Sequence, residues 1–506
     1  MGVPYSRRMG VPYSLGRRIS LRNIPAAVVD PPVQPVSCDH GAAGTALLPV
    51  FSSNTICNNN SLCNNQLYMI SRNIIRFLVG AITFGTVPSG VEAAGGYFAI
   101  GYGPKARQLA GATTAVADDA FTGSSNPGKL FAAGNRTDVG ADIFMPYRRV
   151  ERTGSNSIYD FSTTSDKGLF LIPEAAFSRR INGRWAWGLT LYGNGGLNTD
   201  YRGDNGTPGS SFAPGECGNL PANFFFGCGK AGIDIMQLVV APGVAYQIAP
   251  GHTIGIAPLL TAQRFKAYGF QAFAGLSKLP TDVTNRGKDW ALGAGVRVGW
   301  FGEITPWLNL GAAYASKVYM DKFEKYEGLL AEGSLDIPAN FSVGLALMAS
   351  ERLTFSFDYQ RINFGDVKAV SNGVLNTLLD PAGQALGTSG GSGFNWGNQD
   401  NFRFGLAYAV TPAVTLRGGY AYGERPQRGD GINSVTFNML TPTAENQFTA
   451  GFSWQPRPER ELNFAYVRFI APDYAGPSAS SLLGVGGTEH IAAHVDTVML
   501  SWSWKR

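Results

Sequence analysis

Residues 289–301 read Asp-Trp-Ala-Leu-Gly-Ala-Gly-Val-Arg-Val-Gly-Trp-Phe. Trp290, Leu292, Ala294, Val296, Val298 and Trp300 share one parity, and Ala291, Gly293, Gly295, Arg297 and Gly299 the other. A period of two puts the sets on opposite faces of a strand. One face is greasy and ends in tryptophan. The other is small or charged. A strand between lipid and a polar lumen needs that division. The pattern returns in Leu353, Phe355, Phe357 and Tyr359, and in Phe402, Phe404, Leu406, Tyr408 and Val410.

Working outward, alternating segments fall near 138–149, 168–180, 185–196, 231–248, 252–265, 289–301, 306–319, 336–349, 352–364, 400–410, 413–423, 445–455, 460–471 and 489–504. Tight turns such as Asn182-Gly183, Ala249-Pro250-Gly251, Ser350-Glu351 and Thr411-Pro412 alternate with long loops such as 197–230 and 365–399. Short turns on one side and long loops on the other are the architecture of outer-membrane barrels. The expected fold is all-β, a 14-stranded antiparallel transmembrane β-barrel with both ends at the periplasmic rim. The last strand alternates Val498, Leu500, Trp502 and Trp504 with small or polar residues, as barrels handed to the insertion machinery do, although Lys505 and Arg506 follow it.

Composition agrees. Gly is abundant at 65 residues, aromatics reach 12%, and charged residues are only 15%, against about 25% in soluble domains. Mean hydropathy is near zero, and no apolar run is long enough for a membrane helix. The net charge of +5 is small and scattered, which argues against a nucleic-acid partner.

From Met69, Arg72 and Arg76 precede the apolar run Phe77–Phe84, and Val91-Glu92-Ala93 offers small-residue cleavage. We therefore expect a signal peptide over 69–93, with 1–68 an upstream extension that is untranslated or disordered. Cys217 and Cys228 are the cysteines of the expected mature chain. In an exported protein they are expected to pair across a surface loop.

Between signal and barrel lies 94–137, with Tyr97 and Phe98, then Gly111-Ala112, then Ala117-Asp118-Asp119-Ala120, and Asn126-Pro127-Gly128. This segment resembles the N-terminal plug, or hatch, of the long-chain fatty acid and toluene transporter family (FadL/TodX-like). Asn-Pro-Gly replaces the family's Asn-Pro-Ala. Gly311–Lys317 and Leu416–Tyr420 extend the resemblance through the barrel, 138–506. The resemblance implies a hatch inside the lumen, with Tyr97, Phe98, Asp118, Asp119, Asn126 and Pro127 as its marker residues. It also implies a monomer in the bacterial outer membrane, among lipid and lipopolysaccharide, that passes a hydrophobic small molecule without a cofactor. The solute would be caught among outer loops, held in the lumen, and released sideways after the hatch shifts.

Each step has candidate residues. Phe224, Phe225 and Phe226 in one loop, and Phe270, Phe273 and Leu276 in the next, are expected as an exposed capture surface. Parity assigns Arg297, Lys317, Arg403 and Arg417 to the lumen, where they would hold a carboxylate or pair with lumen acids such as Asp142 and Asp358. Pro173, Gly188, Gly193, Gly195 and Gly196 are expected to open a wall gap at the second and third strands.

The alternative is a general diffusion porin, disfavoured by the plug-like segment, or another outer-membrane barrel protein. An enzyme fits poorly. Gly387-Thr388-Ser389-Gly390-Gly391 matches a nucleophile motif only in spelling, because it lies in a Gly/Ser-rich loop rather than at a strand-to-helix elbow. The few histidines have no metal or triad spacing.

Overall fold

A computed structural model describes residues 96–506 apart from 156–158, 204–218, 430, 432–434 and 472. The signal and upstream segments lie outside these residues, as does Cys217.

Seventeen strands follow one another: β1 Arg136–Ser155, β2 Phe161–Thr164, β3 Phe170–Arg180, β4 Trp185–Asn198, β5 Gly232–Ala249, β6 His252–Tyr268, β7 Asp289–Thr305, β8 Leu308–Ala315, β9 Tyr319–Met320, β10 Asn340–Ser350, β11 Leu353–Ile362, β12 Gln399–Thr411, β13 Val414–Gly423, β14 Asn446–Arg457, β15 Arg460–Ile470, β16 Tyr474–Pro477 and β17 Gly486–Lys505. The short β2, β9 and β16 belong to the loop side. The other fourteen pair antiparallel with their neighbours, and β17 closes on β1 from Arg136↔Lys505 to Ser155↔Gly486. Closure removes the sheet edges that lipid could not hydrate. All fourteen expected segments are present.

The alternation settles which face meets lipid. Val139, Ile143, Leu260, Val298, Phe404 and Leu500 are exposed on the outer wall, while Asp138, Asp142, Phe144, Arg297 and Arg403, on the opposite parity, are buried inside. Trp185, Trp307, Trp454 and Trp504 are exposed beside the short turns and the C-terminal end. They form an interfacial aromatic girdle on the periplasmic side.

The lumen is filled from the N-terminal side. Residues 96–135 run through helix α1 Pro104–Gln108, helix α2 Thr122–Ser125, a 3-10 turn at Pro127–Lys129 and helix α3 Leu130–Ala133. Nearly all of this segment is buried. Helices this short do not stand alone in water. The barrel wall supplies their partners, so the hatch is ordered by its container.

Candidate functional site

The wall is shaped to receive the hatch. Four pairs of glycines lie directly opposite each other on adjacent strands: Gly188↔Gly243, Gly255↔Gly299, Gly311↔Gly344 and Gly405↔Gly419. A methyl group on Gly255 would lie 2.4 Å from Pro127, one on Gly299 2.0 Å from Asn126 Oδ1, and one on Gly311 2.1 Å from the Thr114 carbonyl oxygen. Methyl groups on Gly405 and Gly419 would lie 2.7–3.0 Å from Leu109 and Ala110, and on Gly188 and Gly243 2.8–3.0 Å from Leu130. Only glycine permits backbone to approach this closely. The pairs form a belt on which the hatch rests.

Polar contacts fix its register. Asp358 Oδ2 accepts from the amides of Thr113 at 2.9 Å and Thr114 at 2.8 Å. The Asn126 side-chain amide donates to the carbonyls of Thr114 and Trp300, while its Oδ1 accepts from Gly128 N. Gln108 Nε2 donates to Phe452 O and Phe464 O. Arg107 lies 3.3 Å from both Asp142 and Glu174, all fully buried. Near the periplasmic mouth, Asp118 meets Arg417 at 3.0 Å, and Glu461 meets Lys105 at 2.6 Å and Lys505 at 2.5 Å. Burial, reinforced by Asp118 and Asp138, pushes the Asp119 carboxyl up to about 7.

One part of the wall is unpaired. β3 and β4 pair only between Ala175↔Leu191 and Arg180↔Ala186, although β4 continues along β5 to Asn198 with an irregularity between Gly193 and Gly195. Beyond Leu191, β4 turns its free edge to the hatch. Ala99 N donates to Asn194 O and Gly196 N to Tyr97 O, each at 3.0 Å, and Phe98 bridges Gly195. Gly195 has φ 150°, and a side chain there would meet the Tyr97 carbonyl oxygen at 1.7 Å. The hatch thus takes the place of β3 as the strand's neighbour. The interruption falls at Pro173, Gly193, Gly195 and Gly196, whereas Gly188, expected with them, is paired to Ser178 on one side and Gly243 on the other.

Beside the gap is a small apolar chamber lined by Phe144, Pro146, Leu197, Leu440, Ala444, Ala471 and Val495, with Arg148 at its rim. Arg148 donates to Asn198 O, Lys167 O and Ser165 Oγ. It shares the inward parity of Asp142 and Phe144, yet sequence reasoning missed it. Arg107 and Glu174 were missed as well. The chamber has a volume of about 20 Å³, far below the ~150 Å³ of a cavity that holds a benzene ring.

The other expected residues divide. Arg297 donates to Ser124 O and Tyr192 Oη, and Arg403 to Gln360 Oε1. Arg417 faces the lumen as expected but is engaged by hatch groups. Lys317 is not in a strand. Ser316 Oγ accepts from Val296 N, the ladder of β8 ends at Ala315, and the Lys317 ammonium reaches Asp366 O and Asp336 on the loop side. Asp142 pairs with Arg107 of the hatch, and Asp358, opposite Arg403 on the neighbouring strand, accepts from two hatch amides. They hold the hatch.

The capture aromatics are not an exposed surface. Phe224, Phe225, Phe226 and Phe270 are buried, and Phe273 and Leu276 half-buried. Phe225 packs on Phe224, Phe270, Phe273 and Phe437 with ring centroids 4.5–6.4 Å apart. Asn223 Oδ1 accepts from Phe225 N and Gly227 N and so curls the triplet inward. Arg152, paired with Glu489 at 2.6 Å, lies over the Phe161 and Phe226 rings. The loops pack into an apolar cap over the mouth. Cys228 in this cap is disulfide-bonded. Ser389 lies in a turn of the loop between β11 and β12, with no strand-to-helix elbow around it.

Residues 93–476 match the family model for the outer membrane protein transport protein (OMPP1/FadL/TodX). No curated protein sequence matches the chain. Among solved structures, the Pseudomonas putida toluene transporter TodX is 17% identical with a TM-score of 0.57, covering 80% of this chain and 99% of that one. A Pseudomonas aeruginosa FadL homologue is 14% identical with a TM-score of 0.57, at 83% and 99% coverage. The Ralstonia pickettii toluene transporter TbuX is 17% identical with a TM-score of 0.54, at 80% and 98%. These identities carry the fold, and the family match carries membership. With its closed barrel, lumen hatch and interrupted wall, the chain belongs to the OMPP1/FadL/TodX family of outer-membrane transport proteins.

Proposed function

We propose that this protein admits small hydrophobic molecules, long-chain fatty acids or aromatic hydrocarbons, and releases them sideways through the wall between β3 and β4. The observation that carries this reading is the exchange of β3 for the hatch along β4. In place of a strand ladder, that stretch of β4 is held by backbone hydrogen bonds to Tyr97 and Ala99 and by side-chain bonds from Tyr102 and Arg148. Moving the hatch leaves an opening at membrane height beside an apolar chamber.

The steps follow from the chemistry. A solute first wets the half-buried edge of the aromatic cap at Phe273 and Leu276, with Phe224, Phe225, Phe226 and Phe270 as the packed wall behind. It then displaces the Leu440–Ala444 segment to enlarge the chamber. Transfer of apolar surface from water, worth about 25 cal/mol per Å², draws it inward. A carboxylated solute meets Arg148 at the rim, and a hydrocarbon needs no charge. The 69–93 signal brings the chain to the periplasm, and the Cys217–Cys228 disulfide staples the loop that carries the aromatic triplet.

The test is a reversible lock. Thr114 Oγ1 and Ser342 Oγ are 3.0 Å apart across the hatch–wall boundary, so T114C with S342C is placed to form a cross-link. Cells expressing the doubly substituted chain are assayed with labelled long-chain fatty acid and with toluene, before and after reductant. Uptake of either solute that is silent when oxidised and returns on reduction supports the proposal and names the solute. Uptake indifferent to the lock removes the hatch from the route. Leakage of small hydrophilic solutes through the unlocked chain, without hydrophobic uptake, assigns it as a diffusion porin.

A further inference from the structure

Between hatch and wall lies a second, largely enclosed cavity of about 30 Å³, lined among others by Arg297, Arg403, Asn340, Gln360, Thr113 and Ser124. Arg297 and Arg403 are 5% and 8% exposed. Their side-chain partners are neutral: Ser124 O and Tyr192 Oη for the first, Gln360 Oε1 for the second. Among the described residues neither guanidinium has a carboxylate within ion-pair distance, and no carboxylate lines the cavity. Asp358, opposite Arg403 on the neighbouring strand, turns one oxygen to the Thr113 and Thr114 amides. Glu174 is held by Arg107 and Gly103 N. Buried Lys129 donates to Thr113 O, Val116 O and Ser125 Oγ, all neutral.

With Asp358 the acid opposite one of them, two buried cations at one small polar cavity leave an excess of positive charge that is costly to desolvate unless a further counter-charge is present. From this we infer that the cavity is an anion site, and that its occupant is an inorganic monoanion of halide size that ties the hatch to the wall. The dimensions choose the occupant. About 30 Å³ holds an ion or one to two waters, and the hatch forms one side, so no alkyl tail can follow a carboxylate into it. The guanidiniums come from β7 and β12, and the neutral donors from hatch and wall alike. An anion there adds a charged tie between the hatch and the two wall strands that carry Arg297 and Arg403. This inference stands apart from the identity of the transported solute.

The experiment uses the full protein in neutral detergent, exchanged into sodium gluconate, whose anion is too large for the cavity. Chloride or bromide is titrated in at constant ionic strength while Tm is followed. A saturable rise of about 3 °C, greatly reduced in R403Q and R297Q, is the expected result. Because those variants lose hydrogen bonds of their own, crystals of the unaltered protein soaked in bromide give the second readout, an anomalous peak between the two guanidiniums. A Tm that ignores halide, or a cavity without bromide, overturns the inference and leaves water as the occupant. If laurate or acetate raises Tm and halides do not, the halide assignment is overturned and the arginines belong to a solute carboxylate.

Discussion

At the scale of single residues, the lumen acids do more than the lumen bases expected from the sequence. Asp358 stands beneath two hatch amides, and a hydrogen bond to a charged acceptor is worth about 1.5–3 kcal/mol. In Asp358→Ala, hydrogen exchange at Thr113 and Thr114 is expected to speed about a hundredfold or more, with the wall strands little changed. Unaltered exchange at those amides would remove Asp358 as an anchor. Asp119 sets a pH dependence. Its carboxyl is raised to about 7 in the docked hatch, against about 3.9 when free. The docked form therefore holds the proton more tightly, and its advantage falls as pH rises from about 4 to 7 and levels off above. Protease nicking of the hatch should be faster at pH 8 than at pH 5, and Asp119→Asn should flatten that difference. An opposite slope would contradict the assignment. Parity in the sequence made Asp142, Arg297, Arg403 and Arg417 legible as lumen residues. It misled at Lys317, because the Ser316 hydroxyl takes a ladder amide and ends the strand early. Arg148 had the right parity, but its role depends on the Leu440–Ala444 segment folding back over it, which no local pattern encodes.

At the scale of elements, the strands were legible because a lipid face and a lumen face impose a strict period of two. The loops were not. Alternation says nothing of how Phe224–Phe226 pack on Phe270 and Phe437, partners far away in sequence, so an expected capture surface proved to be the core of a cap. The glycines of β4 were legible as a weak point, and the structure adds what lies against it. Gly195→Ala places a methyl group on the Tyr97 carbonyl and forces the hatch edge off the strand. The barrel, paired with β5 along this stretch, should keep its heat resistance, while hydrophobic uptake changes at least severalfold. An uptake rate within error of the parent would mean the Phe98–Gly195 bridge lies off the route.

At the scale of the whole molecule, a closed wall and a separately seated plug make two objects of one chain. The wall holds itself together through β1 and β17, while the hatch depends on the wall for partners. A chain lacking 94–135 is therefore expected to insert as a barrel, and in planar bilayers to pass ions in steps far larger than the parent. Equal conductance would show that the loop cap, not the hatch, is the barrier. The high glycine content was visible from the start. Its reason was not, because a belt of facing glycines exists only once strands distant in sequence stand side by side.

That belt has a consequence for inheritance. Where the paired glycines stand, the wall has no side chain of its own to narrow the bore, and the hatch does the filling. A mutation that merely abolishes the protein costs a cell one transport route. One that spoils only the hatch leaves a hole through which bulky antibiotics and detergents pass, and an intact second copy of the gene cannot plug it. Damage confined to the first few dozen residues of the exported chain should therefore behave as dominant and toxic, where loss of the whole gene is recessive and mild.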